Sequence, residues 1–154
     1  MTFQEWRSPD AFDEGSTGHS RTTLPVGEPI YLGITHERHS AEGSIRIRDV
    51  QPDLGENDAE ATVEYFLCTV DPSSGVGSIG SVDARLIGDE CSELVAAEGQ
   101  EMELNARPRQ QLVLAVTPTK PGTVTVEGTE LSYSYGWRRG TQRLGDSLEL
   151  VARQ

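Results

Sequence analysis

The stretch Gly122-Thr-Val-Thr-Val-Glu-Gly128, followed by Thr129-Glu-Leu-Ser-Tyr-Ser-Tyr-Gly136, alternates polar and apolar residues between glycines. Because successive side chains of a β-strand point to opposite faces of the sheet, this alternation predicts a β-hairpin over residues 124–135. It also places every second large apolar side chain on one face. Those side chains are Leu131, Tyr133, Tyr135 and Trp137. The end of the chain therefore indicates an all-β fold.

Short alternating runs of the same kind cover most of the chain from Pro25 onward, with turn-forming residues between nearly all of them. Their apolar members are Ile30, Leu32 and Ile34; Ile45 and Ile47; Val63, Tyr65 and Leu67; Met102 and Leu104; Leu112, Leu114 and Val116; and Leu148 and Leu150. About seven to nine strands at this spacing indicate a β-sandwich or a β-barrel. Since 154 residues suit one domain, we expect residues 25–154 to form it.

Two segments depart from the strand pattern. Residues 1–24 are rich in polar residues and glycine and have no periodic apolar face, which predicts a flexible N-terminal tail or linker. Residues 89–98 have the composition of a short helix, because Asp89 can cap its start and Gly99 can end it. We therefore expect at most one short helix, around residues 89–98.

Cys68 and Cys91 are the two cysteines of the chain. They form either one disulfide or two buried thiols, and an even count in a small strand-rich domain favours a disulfide in an oxidising compartment. Such a bridge closes a loop of about 24 residues and stabilises the fold by roughly 3 kcal/mol, because it restricts the unfolded chain. The spacing is unlike that of the CxxC motif in redox-active pairs.

The formal net charge of −12 limits the classes of partner. An acidic protein repels phosphate groups, so nucleic acid and anionic lipid are disfavoured. The sequence has no run of about 18 or more apolar residues, so we expect no membrane-spanning segment in this chain.

Two short patterns resemble ligand-binding motifs without meeting their structural requirements. Gly75-Val-Gly77-Ser-Ile-Gly80 matches GxGxxG, but Asp71-Pro-Ser-Ser74 separates it from the preceding strand, where a dinucleotide site needs a direct connection. We interpret it as a glycine-rich loop. His36-Glu37-Arg38-His39 is one residue shorter than the zinc motif HExxH, so we interpret both histidines as exposed loop residues.

An acidic segment has the oxygen ligands that calcium prefers. Its members are Asp53, Glu56, Asn57, Asp58 and Glu60. The ligand order of an EF-hand and its central glycine are absent, so a solvated acidic turn is favoured over weak calcium binding. No serine lies in a GxSxG motif. We predict no catalytic residue, no cofactor and no metal site, and we expect that the protein is not an enzyme.

The aromatic residues Tyr133, Tyr135 and Trp137 have two interpretations. Alternation with serines is typical of an outer strand with one buried face, which favours packing in the core. Alternatively, the rings form an exposed platform for sugar rings, with hydrogen bonds from Arg138, Arg139 and Arg143. Of the three arginines, the first two adjoin the platform in the chain. These two arginines also make a local basic surface that can pair with carboxylates of a partner or of this chain.

The C-terminal arrangement Pro121-Gly122-Thr-Val-Thr-Val-Glu-Gly128, Leu131-Ser-Tyr133-Ser-Tyr135 and Gly136-Trp-Arg-Arg-Gly140-Thr-Gln142 resembles a family of exported immunoglobulin-like domains. They belong to uncharacterised membrane-anchored proteins of high-GC Gram-positive bacteria. The resemblance implies an antiparallel immunoglobulin-like β-sandwich outside the cytoplasm, secreted or tethered to the outer face of the membrane. No catalytic residue comes with it.

From these observations we expect a non-catalytic extracytoplasmic domain that acts in protein–protein interaction or envelope assembly, with a protein partner in the cell envelope. The alternative is a carbohydrate-binding module that uses the aromatic platform. The residues expected at the partner or ligand surface are Tyr133, Tyr135, Trp137, Arg138 and Arg139.

Overall fold

The computed structural model describes residues 11–13 and 18–154, and they fold into two packed β-sheets. This part of the chain contains eleven strands, one α-helix and a short 3-10 turn at Pro72–Ser74. The strands are β1 (His19–Pro25), β2 (Ile30–Gly33), β3 (Ser44–Asn57), β4 (Thr62–Val70), β5 (Ser81–Asp83), β6 (Cys91–Ala96), β7 (Glu101–Glu103), β8 (Gln110–Thr117), β9 (Gly122–Tyr135), β10 (Arg138–Leu144) and β11 (Ser147–Arg153). The helix is α1 (Ala84–Glu90).

One sheet has the strand order β1-β11-β9-β3-β7, with β10 also paired to β9, and the other has the order β5-β2-β8-β4-β6. Among the described strands, β1 and β11 are parallel and the other pairs are antiparallel. The facing sides of the two sheets enclose one apolar core. The predicted all-β sandwich is confirmed. It has more strands than the predicted seven to nine, because β1, β6 and β10 lack clear apolar alternation and β5 has only three residues.

Strand β9 corrects the predicted hairpin at Gly128. Its 14 residues form one continuous strand, whose first half pairs with β11 and whose second half pairs with β10. A Cβ atom at Gly128 would lie 2.9 Å from the carbonyl oxygen of Leu144, so the glycine permits a close approach between strands. The chain reverses later, at Gly136, where φ is 62°.

The first described residues correct the predicted flexible tail. Residues 19–25 form β1, and both Ala11 and Phe12 are 0% exposed. The Gln142 side chain accepts a hydrogen bond from the Phe12 N–H (3.3 Å) and donates one to the Phe12 carbonyl oxygen (2.6 Å). Residues 11–13 and 18–24 therefore belong to the domain. The rest of the predicted tail, residues 1–10 and 14–17, lies outside the described residues.

The helix lies earlier than the sequence predicted. Asp83 is its N-cap, because the Asp83 carboxylate accepts hydrogen bonds from the backbone N–H groups of Arg85 (3.1 Å) and Leu86 (2.9 Å). The helix ends at Glu90, and residues 91–96 form β6 along one edge of the five-stranded sheet. The described residues contain one short helix, as predicted, but it lies at residues 84–90 and not around residues 89–98, because pairing with β4 extends most of the later segment as a strand.

The disulfide between Cys68 and Cys91 is confirmed. It joins β4 to the neighbouring strand β6 within one sheet, unlike the disulfide of antibody domains, which joins the two sheets. Both cysteines are buried in a small cluster under α1 that includes Ile79, Ile87 and Val113. This cluster covers the outer face of β8, which explains why β8 is apolar on both faces.

Replacing both cysteines, Cys68→Ser with Cys91→Ser, should lower the free energy of unfolding by about 3 kcal/mol, because the unfolded chain regains the entropy of an open loop. Urea unfolding followed by circular dichroism measures this difference. Wild-type protein with an excess of thiol reductant should unfold at the same urea concentration as the double variant. Equal stability of the oxidised wild type and the double variant would contradict the expectation.

Burial raises the pKa of Tyr65 to about 12 from its ordinary value of 10.0, and its hydroxyl is paired with Thr129 Oγ1 at 2.8 Å. Between pH 10 and 12 the folded state keeps this proton, whereas the unfolded state loses it. The contribution of the protonated Tyr65 to the free energy of unfolding is therefore complete below pH 10 and is lost between pH 10 and 12. We expect the stability difference between wild type and Tyr65→Phe to fall by about 1 to 3 kcal/mol over that range. Chemical unfolding at a series of alkaline pH values tests this, and a constant difference would refute it.

Candidate functional site

Strand β9 does not hold the aromatic residues on one exposed face. Tyr133 is 1% exposed, and its hydroxyl accepts a hydrogen bond from the Ala11 N–H (3.2 Å) and donates one to Gln142 Oε1 (3.3 Å). Tyr135 is half-buried and its hydroxyl donates to the Glu42 carbonyl oxygen. The predicted surface role of Tyr133 is therefore corrected: this ring belongs to the core, and a platform of three rings does not form.

Trp137 lies outside the strand alternation, because it follows Gly136 in the turn between β9 and β10. Its side chain is 68% exposed, and the Arg138 guanidinium lies 5.1 Å from the centre of the ring, which is a cation–π distance. The Arg139 side chain is exposed and makes no hydrogen bond or ion pair with any described residue. The structure therefore keeps Trp137, Arg138 and Arg139 together at one surface turn.

A groove of about 470 Å³ adjoins this turn, and we call it the arginine groove. It is lined by Ser44, Ile45, Arg46, Arg48, Glu101, Ser134, Gly136, Trp137 and Arg139. Neighbours orient two of its arginines. Arg46 donates to the Gly99 carbonyl oxygen (2.9 Å) and Arg48 donates to Ser134 Oγ (2.9 Å). The groove thus carries three arginines and one glutamate in a chain of net charge −12.

A larger cleft of about 970 Å³ lies between the connections β2–β3, β4–β5 and β7–β8, and we call it the loop cleft. It is lined by His36, Glu37, His39, Val70, Pro72, Val76, Gly77, Asn105, Ala106, Arg107, Pro108 and Arg109. The backbone of residues 36–38 is fixed by hydrogen bonds to residues 11–13. The cleft volume is within the range of small-molecule sites, and half of its lining residues are polar or charged.

The two histidines of this cleft differ in their surroundings. His39 is exposed, as the sequence predicted. His36 is 38% exposed, and its Nε2 lies 2.9 Å from Oδ2 of Asp146, whose side chain is 4% exposed. Asp146 also accepts the Gly18 N–H at 2.6 Å. The side chain of His36 is therefore held in place, and no sequence pattern pointed to Asp146 as its partner.

The chemistry that these groups can perform is limited. A carboxylate that orients a histidine is one part of a nucleophilic site, but the residues lining the loop cleft include no serine, threonine, cysteine or lysine. In the described ranges, no group of three or more His, Cys, Asp or Glu side chains is arranged to hold a metal ion.

The acidic segment is largely occupied by internal contacts. Asp53 pairs with Arg143 at 2.8 Å, Glu60 with Lys120 at 3.5 Å, and Asn57 Oδ1 accepts the Ala61 N–H at 2.8 Å. A hydrogen bond with Asp58 and the charge of that residue raise the pKa of the exposed Glu56. The segment is not a turn throughout, because Asp53, Glu56 and Asn57 lie at the end of β3 and only Asp58 and Glu60 lie in the connection that follows it.

The glycine pattern at residues 75–80 forms a loop, as predicted. A 3-10 turn precedes it, in which the Asp71 carboxylate accepts hydrogen bonds from the Ser73 hydroxyl and N–H, and these bonds lower the pKa of Asp71. The loop leads into β5 and not into a helix. It lacks the helix N-terminus that a dinucleotide phosphate requires.

No protein-family model and no curated protein sequence matches this chain. Within the part of the chain that the structure describes, no helix is long and apolar enough to cross a membrane.

Substitutions of Trp137 and Tyr133 should differ in their effect on stability, because the first ring is exposed and the second is buried. Trp137→Ala should change the free energy of unfolding by less than about 0.5 kcal/mol, because the side chain is mostly exposed. Tyr133→Phe should cost about 1 kcal/mol or more, because a buried hydroxyl and two hydrogen bonds are lost. Urea unfolding of both variants provides the comparison. A larger loss for Trp137→Ala than for Tyr133→Phe would show that the two rings have been assigned to the wrong environments.

Proposed function

We propose that this chain is a non-catalytic extracytoplasmic domain of immunoglobulin-like type, whose arginine groove and Trp137 bind a protein partner in the cell envelope. The single observation that carries the proposal is the exposed Trp137 ring, stacked by Arg138 and placed beside three further arginines in one groove. Tryptophan and arginine are the residue types that most often dominate the energy of protein interfaces.

The charge of the groove indicates the chemistry of the partner. The chain as a whole is acidic, but Arg46, Arg48 and Arg139 line this groove with one glutamate as counter-charge. Arg139 makes no ion pair among the described residues, so its charge is available to a carboxylate. Electrostatic complementarity therefore favours a partner segment that carries Asp or Glu beside an apolar residue.

The disulfide supports the extracytoplasmic part of the proposal. Bridges between cysteines persist in oxidising compartments and are uncommon in the reducing cytosol. The bridge between Cys68 and Cys91 is buried beneath α1. The resemblance of the C-terminal segment to exported immunoglobulin-like domains agrees with this location and suggests the cell envelope.

Carbohydrate binding remains the alternative, and the exposed Trp137 ring is the feature that favours it. The described residues offer sugar rings a smaller stacking surface than the sequence suggested, because Tyr133 is buried and the Tyr135 hydroxyl bonds to the backbone. The guanidinium of Arg138 also occupies one face of the Trp137 ring. A protein segment with carboxylates fits these features better than a glycan.

The experiment is selection of a random-peptide phage library on the immobilised protein. We expect enrichment of peptides with Asp or Glu, whose affinity falls as salt is added and falls at least about tenfold in the double variant Trp137→Ala with Arg139→Ala. The matched control is Arg85→Ala with Leu86→Ala on α1, which also removes one exposed arginine and one exposed apolar side chain.

The same samples should be applied to a glycan array. Acidic peptides that bind the wild type and the α1 control but not the groove variant support the proposal. Sugar binding that depends on Trp137, without enrichment of acidic peptides, would establish the carbohydrate alternative. Equal peptide binding by both double variants would contradict a role for the groove.

A further inference from the structure

The first and the last of the described strands lie side by side and run in the same direction. β1 and β11 are parallel over their whole length, from the pair of His19 with Ser147 to the pair of Pro25 with Arg153. The start of β1 and the end of β11 therefore lie at opposite ends of this ladder, roughly 20 Å apart at about 3.3 Å per residue. A force that pulls the two ends of the chain apart slides these strands past each other.

The direction of pairing decides how the hydrogen bonds of the ladder share such a load. If the terminal strands were antiparallel, the two loaded ends would be neighbours and the bonds would break one after another. Because β1 and β11 are parallel, the force acts along the strands and all the bonds of the ladder carry it together. Parallel pairing is slightly less stable per residue than antiparallel pairing. What the parallel arrangement adds is therefore resistance to force and not equilibrium stability.

Backbone hydrogen bonds continue the ladder beyond both ends of β1. The Gly18 carbonyl oxygen accepts a hydrogen bond from the Ser147 N–H (2.9 Å), and the Val26 N–H donates one to the Arg153 carbonyl oxygen (2.8 Å). Since successive residues of a strand direct their backbone groups to opposite sides, these two bonds assign the backbone groups of residues 20, 22 and 24 to the side of β11. Residues 21 and 23 direct theirs to the edge of the described sheet.

Side chains on both faces of the ladder oppose sliding. On the outer face, Arg21 Nε lies 2.6 Å from a carboxylate oxygen of Glu149, and His19 Nδ1 lies 2.7 Å from Ser147 Oγ. Both contacts join residues that are directly opposite in the register, so a shift of one residue breaks both. On the inner face, Leu150 of β11 is 0% exposed and holds its strand in the core.

Residues 11–13 attach the chain to the domain ahead of β1. Phe12 is 0% exposed, and the Gln142 side chain bonds both its N–H and its carbonyl oxygen. Two further backbone hydrogen bonds join this segment to residues 36–38. A force applied before residue 11 therefore reaches β1 only after these contacts are released.

We propose that this domain is a load-bearing module, in which the ladder between β1 and β11 is a mechanical clamp. The clamp keeps the domain folded while the chain on its two sides is pulled in opposite directions, as happens when a tethered domain holds a partner under tension. No residue of β1 or β11 lines the arginine groove. The strength of the clamp can therefore be measured without a partner, and its failure would leave the function proposed for the groove untouched.

The test is single-molecule force spectroscopy of the full chain in two pulling directions. Handles at the two ends of the chain load the ladder in shear. In the second geometry, one handle is at the C-terminal end and the other is at Glu28, which is exposed in the connection after β1. This force peels the ladder from one end, because Glu28 follows the end of β1 that pairs with Arg153. Since forced unfolding is governed by the unfolding rate, we expect the unfolding force at one loading rate to be at least about twofold higher in shear.

Two neighbouring threonines of β1 provide a matched pair of variants, because proline has no backbone N–H. Thr22→Pro removes an N–H on the side of β11, whereas Thr23→Pro removes one at the sheet edge, where proline is tolerated. Thr22→Pro should bring the ratio of the shear force to the peeling force close to one, and Thr23→Pro should leave this ratio unchanged. A general loss of stability lowers both forces, so the ratio separates loss of the clamp from simple destabilisation.

Equal unfolding forces in the two directions would overturn the proposal, because the strength of a clamp depends on the direction of pulling. The same ratio of forces in Thr22→Pro and Thr23→Pro would also overturn it, because the resistance would then lie outside the ladder. If Thr22→Pro does not fold, the comparison of the two directions on the chain with the native β1 decides the question. A high ratio supports the clamp even if the arginine groove binds no peptide.

Discussion

The hydrogen bonding of β9 to three other strands is the constraint on which the rest of the structure depends. β3 pairs along one edge of β9, whereas β11 and β10 share the other edge. This register turns Val124, Val126, Leu131 and Tyr133 toward the core, where each is at most 1% exposed. A shift of one residue in the pairing register would expose all four side chains. Burial of this face therefore specifies the register at both edges of β9.

Both candidate sites follow from this arrangement and from the loops that it positions. The turn after β9 carries Trp137 to the surface, and pairing of β3 with β9 places Arg46 opposite Ser134, beside that turn. The connection between β2 and β3 borders the loop cleft, which Glu37 lines, and Glu42 of the same connection contacts the Tyr135 hydroxyl.

Alternation was enough to predict the strands that line the core, and two cysteines in a strand-rich chain were enough to predict the disulfide. The prediction from sequence was wrong where one residue type is compatible with two different structures. Gly128 sits in an alternating run, where a glycine indicates a turn and a close approach between strands equally well. Strand β1 was missed because it pairs at a sheet edge through mostly polar residues. The loop cleft had no local signal, since Glu37 and Arg109 are far apart in the chain and meet only after folding.

The measurement that tests this account most directly is the pattern of nuclear Overhauser contacts made by β9 in solution. One continuous strand predicts contacts of Val126 with Leu148 and of Leu131 with Val50, across the two edges of β9. It also predicts no contact between Val126 and Leu131, which lie roughly 17 Å apart along an extended strand. A hairpin turning at Gly128 would instead bring Val126 and Leu131 together, and that contact would contradict both the register of the core and the placement of Trp137.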